Sequence, residues 1–234
     1  MMYIRTLLYA LLAATIFSCT PNLRVVSDEY KTQKFVEAHL AVKAIPSQLF
    51  FIENIDDVKD DIAKEGIPEE VFSLFFREEF GKAIQKYSTY NTVTFLANVD
   101  STKLERSEFH IDSKNTVNFN IPSIGFKYNV PENCRFVLIF PALRIHRYGG
   151  KAPMFIPGPN GGSFSGGEGP SLIFNIDYLL WDNVRSKPVS FGKLEINNPF
   201  MLAMTKETWV STINSLARAI IQGTAFEKQM YGGR

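Results

Sequence analysis

The 234-residue chain predicts an α+β fold, a mixed and largely antiparallel sheet with two long helices packed on one face. Three observations predict it. Two stretches, Ile67 to Tyr87 and Thr205 to Gly223, repeat apolar residues at steps of three and four, the helical period. Three stretches between Cys134 and Ile196 run apolar or alternate, the strand period, with turn residues between them. The composition, 45% hydrophobic and 21% charged, supplies a core for one ordinary globular domain.

The amino terminus is expected to lie outside that domain. Met1 to Thr6 carry one positive charge, Arg5, and Leu7 to Phe17 follow as an uncharged apolar run before Ser18-Cys19. A charged start, a short apolar middle and a small residue before the cut form the layout of a signal peptide. The run is too short to cross a bilayer, which takes roughly 20 apolar residues for about 30 Å. Ile16-Phe17-Ser18-Cys19 resembles the lipobox of bacterial lipoproteins: an aliphatic residue, a variable place, a small residue and the cysteine. Phe17 departs from the usual small or aliphatic residue at the variable place. The resemblance implies cleavage before Cys19, a diacylglycerol on its thiol and a fatty acid such as palmitate on the new amine. Each buried CH₂ contributes about 0.8 kcal/mol, so two or three chains hold a protein firmly. An ordinary cleaved signal with an incidental cysteine, or an uncleaved anchor, are the alternatives.

On this reading residues 1–18 are the signal peptide and 19–34 a lipidated, polar tether. The domain spans 35–225, and 226–234 form a frayed tail. Cys134 is the one cysteine left after Cys19, which excludes an intrachain disulfide in the mature form; it opens an apolar run and reads as a small buried hydrophobe. Cleavage removes Arg5 and leaves 24 basic against 24 acidic residues. A neutral chain without basic clusters lacks the electrostatic footprint of a nucleic-acid binder.

Along the domain, Phe35 to Ile55 predicts one or two strands broken by Pro46. Ile67 to Tyr87 predicts the first helix: Pro68 suits its first turn, and Glu69 and Glu70 face the positive end of its dipole. Its apolar face is Phe72, Phe75, Phe76, Phe80, Ala83, Ile84 and Tyr87, a stripe that packs on a sheet more readily than on a cofactor. Thr92 to Ala97 reads as a short strand. Residues 98–133 are weakly patterned, an insertion or meandering hairpin with strands near Ser107–Ile111 and Thr116–Ile121. Cys134 to Tyr148 is apolar on both faces over Phe136 to Phe140 and predicts a central strand. Leu172 to Trp181 is its partner, Asp182 to Pro188 a turn, and Val189 to Ile196 the returning strand. The last helix starts at Thr205, with Glu207 in its first turn, carries Trp209, Ile213, Leu216 and Ile220, and stops at Gly223.

Between the two central strands, Gly149 to Pro170 holds twelve Gly or Pro among 22 residues, with Met154, Phe155, Ile156 and Phe164 set among them. Such a segment is either a loop tip or one that orders its apolar residues against a partner or membrane. Those four residues are the candidate binding residues.

This element order looks like that of small envelope lipoproteins and periplasmic domains. They include the amino-terminal domain of the Tol–Pal protein TolB, the curli secretion lipoproteins and the auxiliary lipoproteins of ABC-type transport. The particular resemblance is Tyr178-Leu179-Leu180-Trp181-Asp182-Asn183-Val184-Arg185-Ser186-Lys187-Pro188-Val189, a strand–turn–strand with an Asp followed by a polar turn. It implies assembly or binding roles rather than chemistry.

Catalytic patterns are few. His39, His110 and His146 are scattered, and His110-Ile111-Asp112 offers two metal-ligand types where zinc needs three or four. Gly162-Ser163-Phe164-Ser165-Gly166 has Phe164 where a nucleophile elbow has serine. Gly167-Glu168-Gly169 lacks the third glycine of a dinucleotide fingerprint. Arg135, Arg144 and Arg147 could mark an anion-binding surface, or pair with Glu132 and Asp177. The expectation is a non-enzymatic lipoprotein of the cell envelope without cofactor or metal, at the outer membrane facing the periplasm. It would bind a protein partner through a sheet edge or the 149–170 loop. A lipid or small-ligand carrier with a cavity near Phe75, Phe76 and Trp209, and an envelope hydrolase, are the alternatives.

Overall fold

Phe136–Tyr148 is apolar on both faces along its first half, and it becomes the middle of the fold. The computed structural model describes residues 23–32, 38–43, 50–96, 104–110, 116–150, 155–156, 163–164 and 169–228. In chain order these form β1 (Leu23–Val26), α1 (Glu29–Thr32), β2 (Ala38–Lys43), β3 (Phe50–Ile52), α2 (Asp56–Asp61), α3 (Pro68–Tyr87), β4 (Tyr90–Leu96), β5 (Leu104–His110) and β6 (Thr116–Pro122). They continue with β7 (Phe136–Tyr148), β8 (Phe155–Ile156), β9 (Ser163–Phe164), β10 (Ser171–Asp182), β11 (Lys187–Pro199) and α4 (Lys206–Ile221).

The main sheet has seven strands in the order β1-β11-β10-β7-β2-β4, with β3 also on β7. β1, β11, β10 and β7 are antiparallel neighbours, whereas β2 runs parallel to both β7 and β4. The parallel pair β2/β4 follows from its connection, because a crossover through α2 and α3 returns the chain in the same direction. β2 and β3 lie one after the other along β7, at Phe136–Ile139 and at Leu143–Ile145.

The α+β class, the mixed sheet and the two long helices agree with the sequence. On α3, Phe72, Phe75, Phe76, Phe80, Ala83 and Ile84 are buried, and on α4 Trp209, Ile213, Leu216 and Ile220 are buried. Both stripes join Phe136, Leu138, Phe140, Phe174, Ile176 and Leu180 in one core. The Thr205 N–H donates to Thr208 Oγ1 at the start of α4, and Gly223 takes φ +66 beyond its end.

The inner parity of β7 changes along the strand, from Phe136, Leu138 and Phe140 to Leu143 and Ile145. The register against β10 shifts between Asp177 and Leu179, which face Ala142 and Ile139. One extra residue on β7 is therefore accommodated beside Pro141, whose missing N–H suits a bulge.

The opposite face of the sheet is also covered. Val137, Ile139, Leu179, Trp181 and Phe191 form a second cluster with Phe119, Ile121 and Tyr128. β5 and β6 pair as an antiparallel hairpin, so 98–133 contains the expected hairpin and adds a cover for this face. The Asn183 side chain fastens the cover, accepting from the Tyr128 N–H at 2.6 Å and donating to the Tyr128 carbonyl at 3.0 Å.

Two boundaries differ from the sequence reading. Within the expected tether, Leu23–Val26 pairs with β11 and Tyr30 is buried. The edge of β11 offers unpaired backbone groups, and Gly192 lets β1 approach: a Cβ there would stand 2.2 Å from the Leu23 carbonyl oxygen. In the expected tail, Phe226 is buried, stacked on Tyr90 at 4.8 Å and edge-on to Phe136 at 4.6 Å. The Ala225 N–H donates to the Tyr30 carbonyl, so the two segments brace each other.

Candidate functional site

The sheet has two dissimilar ends. At one end, β7 begins, β10 ends and β11 begins around Asp182. The Asp182 side chain is wholly buried and accepts from Tyr30 Oη at 2.8 Å, from Arg135 Nη2 at 2.7 Å, and from the Val184 and Arg185 N–H groups at 3.0 and 3.1 Å. Burial pushes its carboxyl up, but the bonds from Arg135, the Arg185 backbone and Tyr30 outweigh it and hold the carboxyl below the usual range. Burial and the adjacent Asp182 raise the Tyr30 phenol. Each of these groups has its partner, and the arrangement ties the strand–turn–strand of the sequence motif to α1 and to β7. It is a structural node.

This corrects the arginine reading. Arg135 pairs with Asp182 rather than Glu132 or Asp177, because strand register puts Asp182 opposite Phe136. Asp177 instead faces Lys193 at 3.8 Å. Arg144 lies over the Phe51 ring, and Arg147 contacts Asp57 and the Phe200 ring. Arg135 immediately precedes β7, Arg144 and Arg147 lie on it, and the three do not converge.

At the other end, Tyr148 pairs with Ser171 and Ser171 with Pro199, so the 149–170 segment and the turn after β11 leave the sheet together. Cys19 and Met154 lie outside the described residues. Phe155–Ile156 and Ser163–Phe164 pair as a small antiparallel ladder, with Phe155 opposite Phe164. The ladder forms its own two-stranded sheet beside the main one. Next to the base of this segment, Met201 and Leu202 are 93% and 99% exposed. Sequence reasoning did not single them out. Their signal is two consecutive apolar residues between a strand-ending Pro199-Phe200 and the cap at Thr205.

Two of the rings expected to border a carrier cavity pack on other rings of the core: Trp209 lies 5.6 Å from Phe72, and Phe76 lies 5.2 Å from Phe80. Trp209 Nε1 donates to Asp61 at 3.1 Å, which satisfies the indole. Of the histidines, His39 Nδ1 meets the Asn133 amide at 3.3 Å, and His110 closes β5. Asp112 lies outside the described residues. No three His, Cys, Asp or Glu side chains converge as metal ligands among the described residues. No described helix is long and apolar enough to cross a membrane.

No protein-family model matches the chain, and no curated protein matches it in sequence. Solved structures align with it over most of its length. The PelC dodecamer from Paraburkholderia phytofirmans aligns over 82% of this chain and 95% of its own, at 10% identity and a TM-score of 0.37. A variant PelC dodecamer from the same species covers 88% and 99%, at 11% identity and 0.34. A homologue of the neuraminyllactose-binding haemagglutinin from Helicobacter pylori covers 81% and 84%, at 11% identity and 0.28. Likeness this faint carries no residue role or activity across.

Proposed function

We propose that this protein is a lipid-anchored lipoprotein of the bacterial envelope that acts by binding a protein partner, without chemistry of its own. The observation that carries the reading is the order apolar run, Cys19, Leu23: the first strand of the sheet begins four residues after the cysteine of the lipobox-like sequence. Acyl chains on Cys19 would hold the domain at the membrane surface. The 149–170 segment supplies the binding element, because its ladder of Phe155, Ile156 and Phe164 pairs with itself and not with the main sheet. Peptide-like partners commonly bind by adding a strand to the edge of such a ladder.

The anchor is tested by expressing the full chain in a bacterium and comparing it with Cys19→Ala. Intact mass of the mature wild-type protein should show a chain starting at Cys19 plus a diacylglyceryl group, and the protein should partition into detergent. Cys19→Ala should remain uncleaved and lose the added mass. An unmodified Cys19 in the wild type would overturn the reading. Photo-crosslinking from positions 155 and 164 in cells should capture a defined envelope protein; a pattern no different from position 127 would remove the binding role.

A further inference from the structure

Three features of the fold, taken together, give the domain an orientation on its membrane. First, β1 is antiparallel to β11, with Leu23 opposite Lys193 and Val26 opposite Ser190. Traced toward lower residue numbers, the β1 backbone therefore heads for the Pro199 end of the sheet. Second, four residues from Leu23 to Cys19 reach at most about 14 Å, whereas the six residues from Lys193 to Pro199 cover about 20 Å. A chain that keeps the direction of β1 carries Cys19, and the membrane that holds it, toward this end. Third, Met201 and Leu202, just past Pro199, are the most exposed large apolar side chains described.

We infer that the Met201–Leu202 turn is seated in the lipid interface of the leaflet that holds the acyl chains of Cys19. The inference rests on the lipid-anchor reading and adds an orientation: the Pro199 end faces the membrane, and the Asp182 node points away. The flanking chemistry fits a shallow seat. Lys206 opens α4 and lies over the Phe75 ring, and Arg147 lies over Phe200, so cationic heads flank the apolar turn at headgroup height. Asp56 and Asp60 on α2 are exposed, next to Asp57, the partner of Arg147. Attraction to anionic lipid is therefore opposed, and the seat depends on apolar insertion.

The test uses the mature lipidated protein, reconstituted into phosphatidylethanolamine vesicles with a minor share of phosphatidylglycerol. An environment-sensitive thiol dye is placed by Leu202→Cys and, as the distal control, by Val184→Cys, both with Cys134→Ala. Lipid-borne nitroxides near the glycerol level should quench the dye at 202 severalfold more than at 184, and added salt should leave the difference in place. Equal quenching at both positions, with the Cys19 mass intact, would overturn the orientation alone. A Cys19 that takes up the dye would show that the anchor reading has failed as well. Shielding of the dye at 202 from an aqueous quencher before vesicles are added would assign the turn to the 149–170 segment or to a second copy, again against the inference. A measurement without substitution in the turn is amide exchange over 200–205. It should be slower in the vesicle-bound protein than in an unlipidated chain expressed from residue 20, and equal rates would refute the seat.

Discussion

The Asp182 carboxylate, with no exposed side-chain surface, receives the Arg135 guanidinium through Nη2 at 2.7 Å and Nε at 3.1 Å. Tyr30 Oη takes the same oxygen at 2.8 Å, so one carboxylate joins α1, β7 and the β10–β11 turn. Replacing Asp182 with Asn keeps the shape and removes the charge, which leaves Arg135 without its counter-ion beside a buried amide. Breaking one side of such a pair costs about 3–5 kcal/mol. Urea unfolding of Asp182→Asn at neutral pH should show a loss of that order; a loss below about 1 kcal/mol would mean that solvent replaces the pair.

The same carboxyl sets an acid limit. Burial raises it, but hydrogen bonds from Arg135, the Arg185 backbone and Tyr30 bring it below its ordinary value. A carboxyl that titrates lower in the folded chain stabilises fully above the unfolded value of about 3.9, and the stabilisation fades as pH falls through the folded value. The stability gap between wild type and Asp182→Asn should be constant from pH 7 to about pH 5 and shrink below about pH 4. A gap that widened toward acid would contradict the sign of the shift.

Gly192 is the contact point between the first strand and the rest of the sheet. A Cβ there meets the Leu23 carbonyl oxygen at 2.2 Å and the Arg24 Cα at 3.0 Å, both backbone atoms that cannot swing aside. Gly192→Ala should therefore release β1 while β10, β11 and α4 stay packed. Amide exchange should accelerate at Leu23–Val26, with a global cost of about 1–3 kcal/mol. Gly149→Ala, where a Cβ meets nothing within 4 Å, is the control and should leave both unchanged.

Phe226 closes the core where α1, β4 and β7 meet. Its ring stacks on Tyr90 and meets Phe136 edge-on, and it is fully buried. Phe226→Ala should cost about 3–5 kcal/mol, the range for removing a core aromatic ring. A thermal melt unchanged from the wild type would show that this segment is not part of the cooperative unit.

These residues also mark where sequence reading runs out. α3, α4, β7, β10 and β11 are long enough to repeat their period several times, so their apolar faces are visible in one dimension. Leu23–Val26 is too short to show a period and is held by a partner far along the chain. Tyr30 and Phe226 sit in short, mostly polar stretches, and their partners are distant in sequence: Asp182 for Tyr30, and Tyr90 with Phe136 for Phe226. The lipobox-like sequence is linear and needs no fold to be read. Met201 and Leu202 become conspicuous only when the end of β11 and the start of α4 are fixed, because exposure is a property of the folded surface.

Removing the 149–170 segment should leave the domain standing. Gly149-Gly150 and Gly169-Pro170 flank it, and the residues they follow and precede, Tyr148 and Ser171, are already paired across β7 and β10. The ladder of β8 and β9 pairs with itself and adds no strand to the main sheet. Shortening the connection between two paired strands lowers the entropy of closure by only about 0.6 kcal/mol per halving of loop length. Deleting residues 151–168 keeps the four flanking residues as a turn and should leave the melting temperature equal to or slightly above the wild type. The lipidated protein should still fractionate with membranes but lose its crosslinked partner. A large fall in melting temperature would show instead that Phe155, Ile156 and Phe164 belong to the core, and the segment would then be a structural lid rather than a binding element.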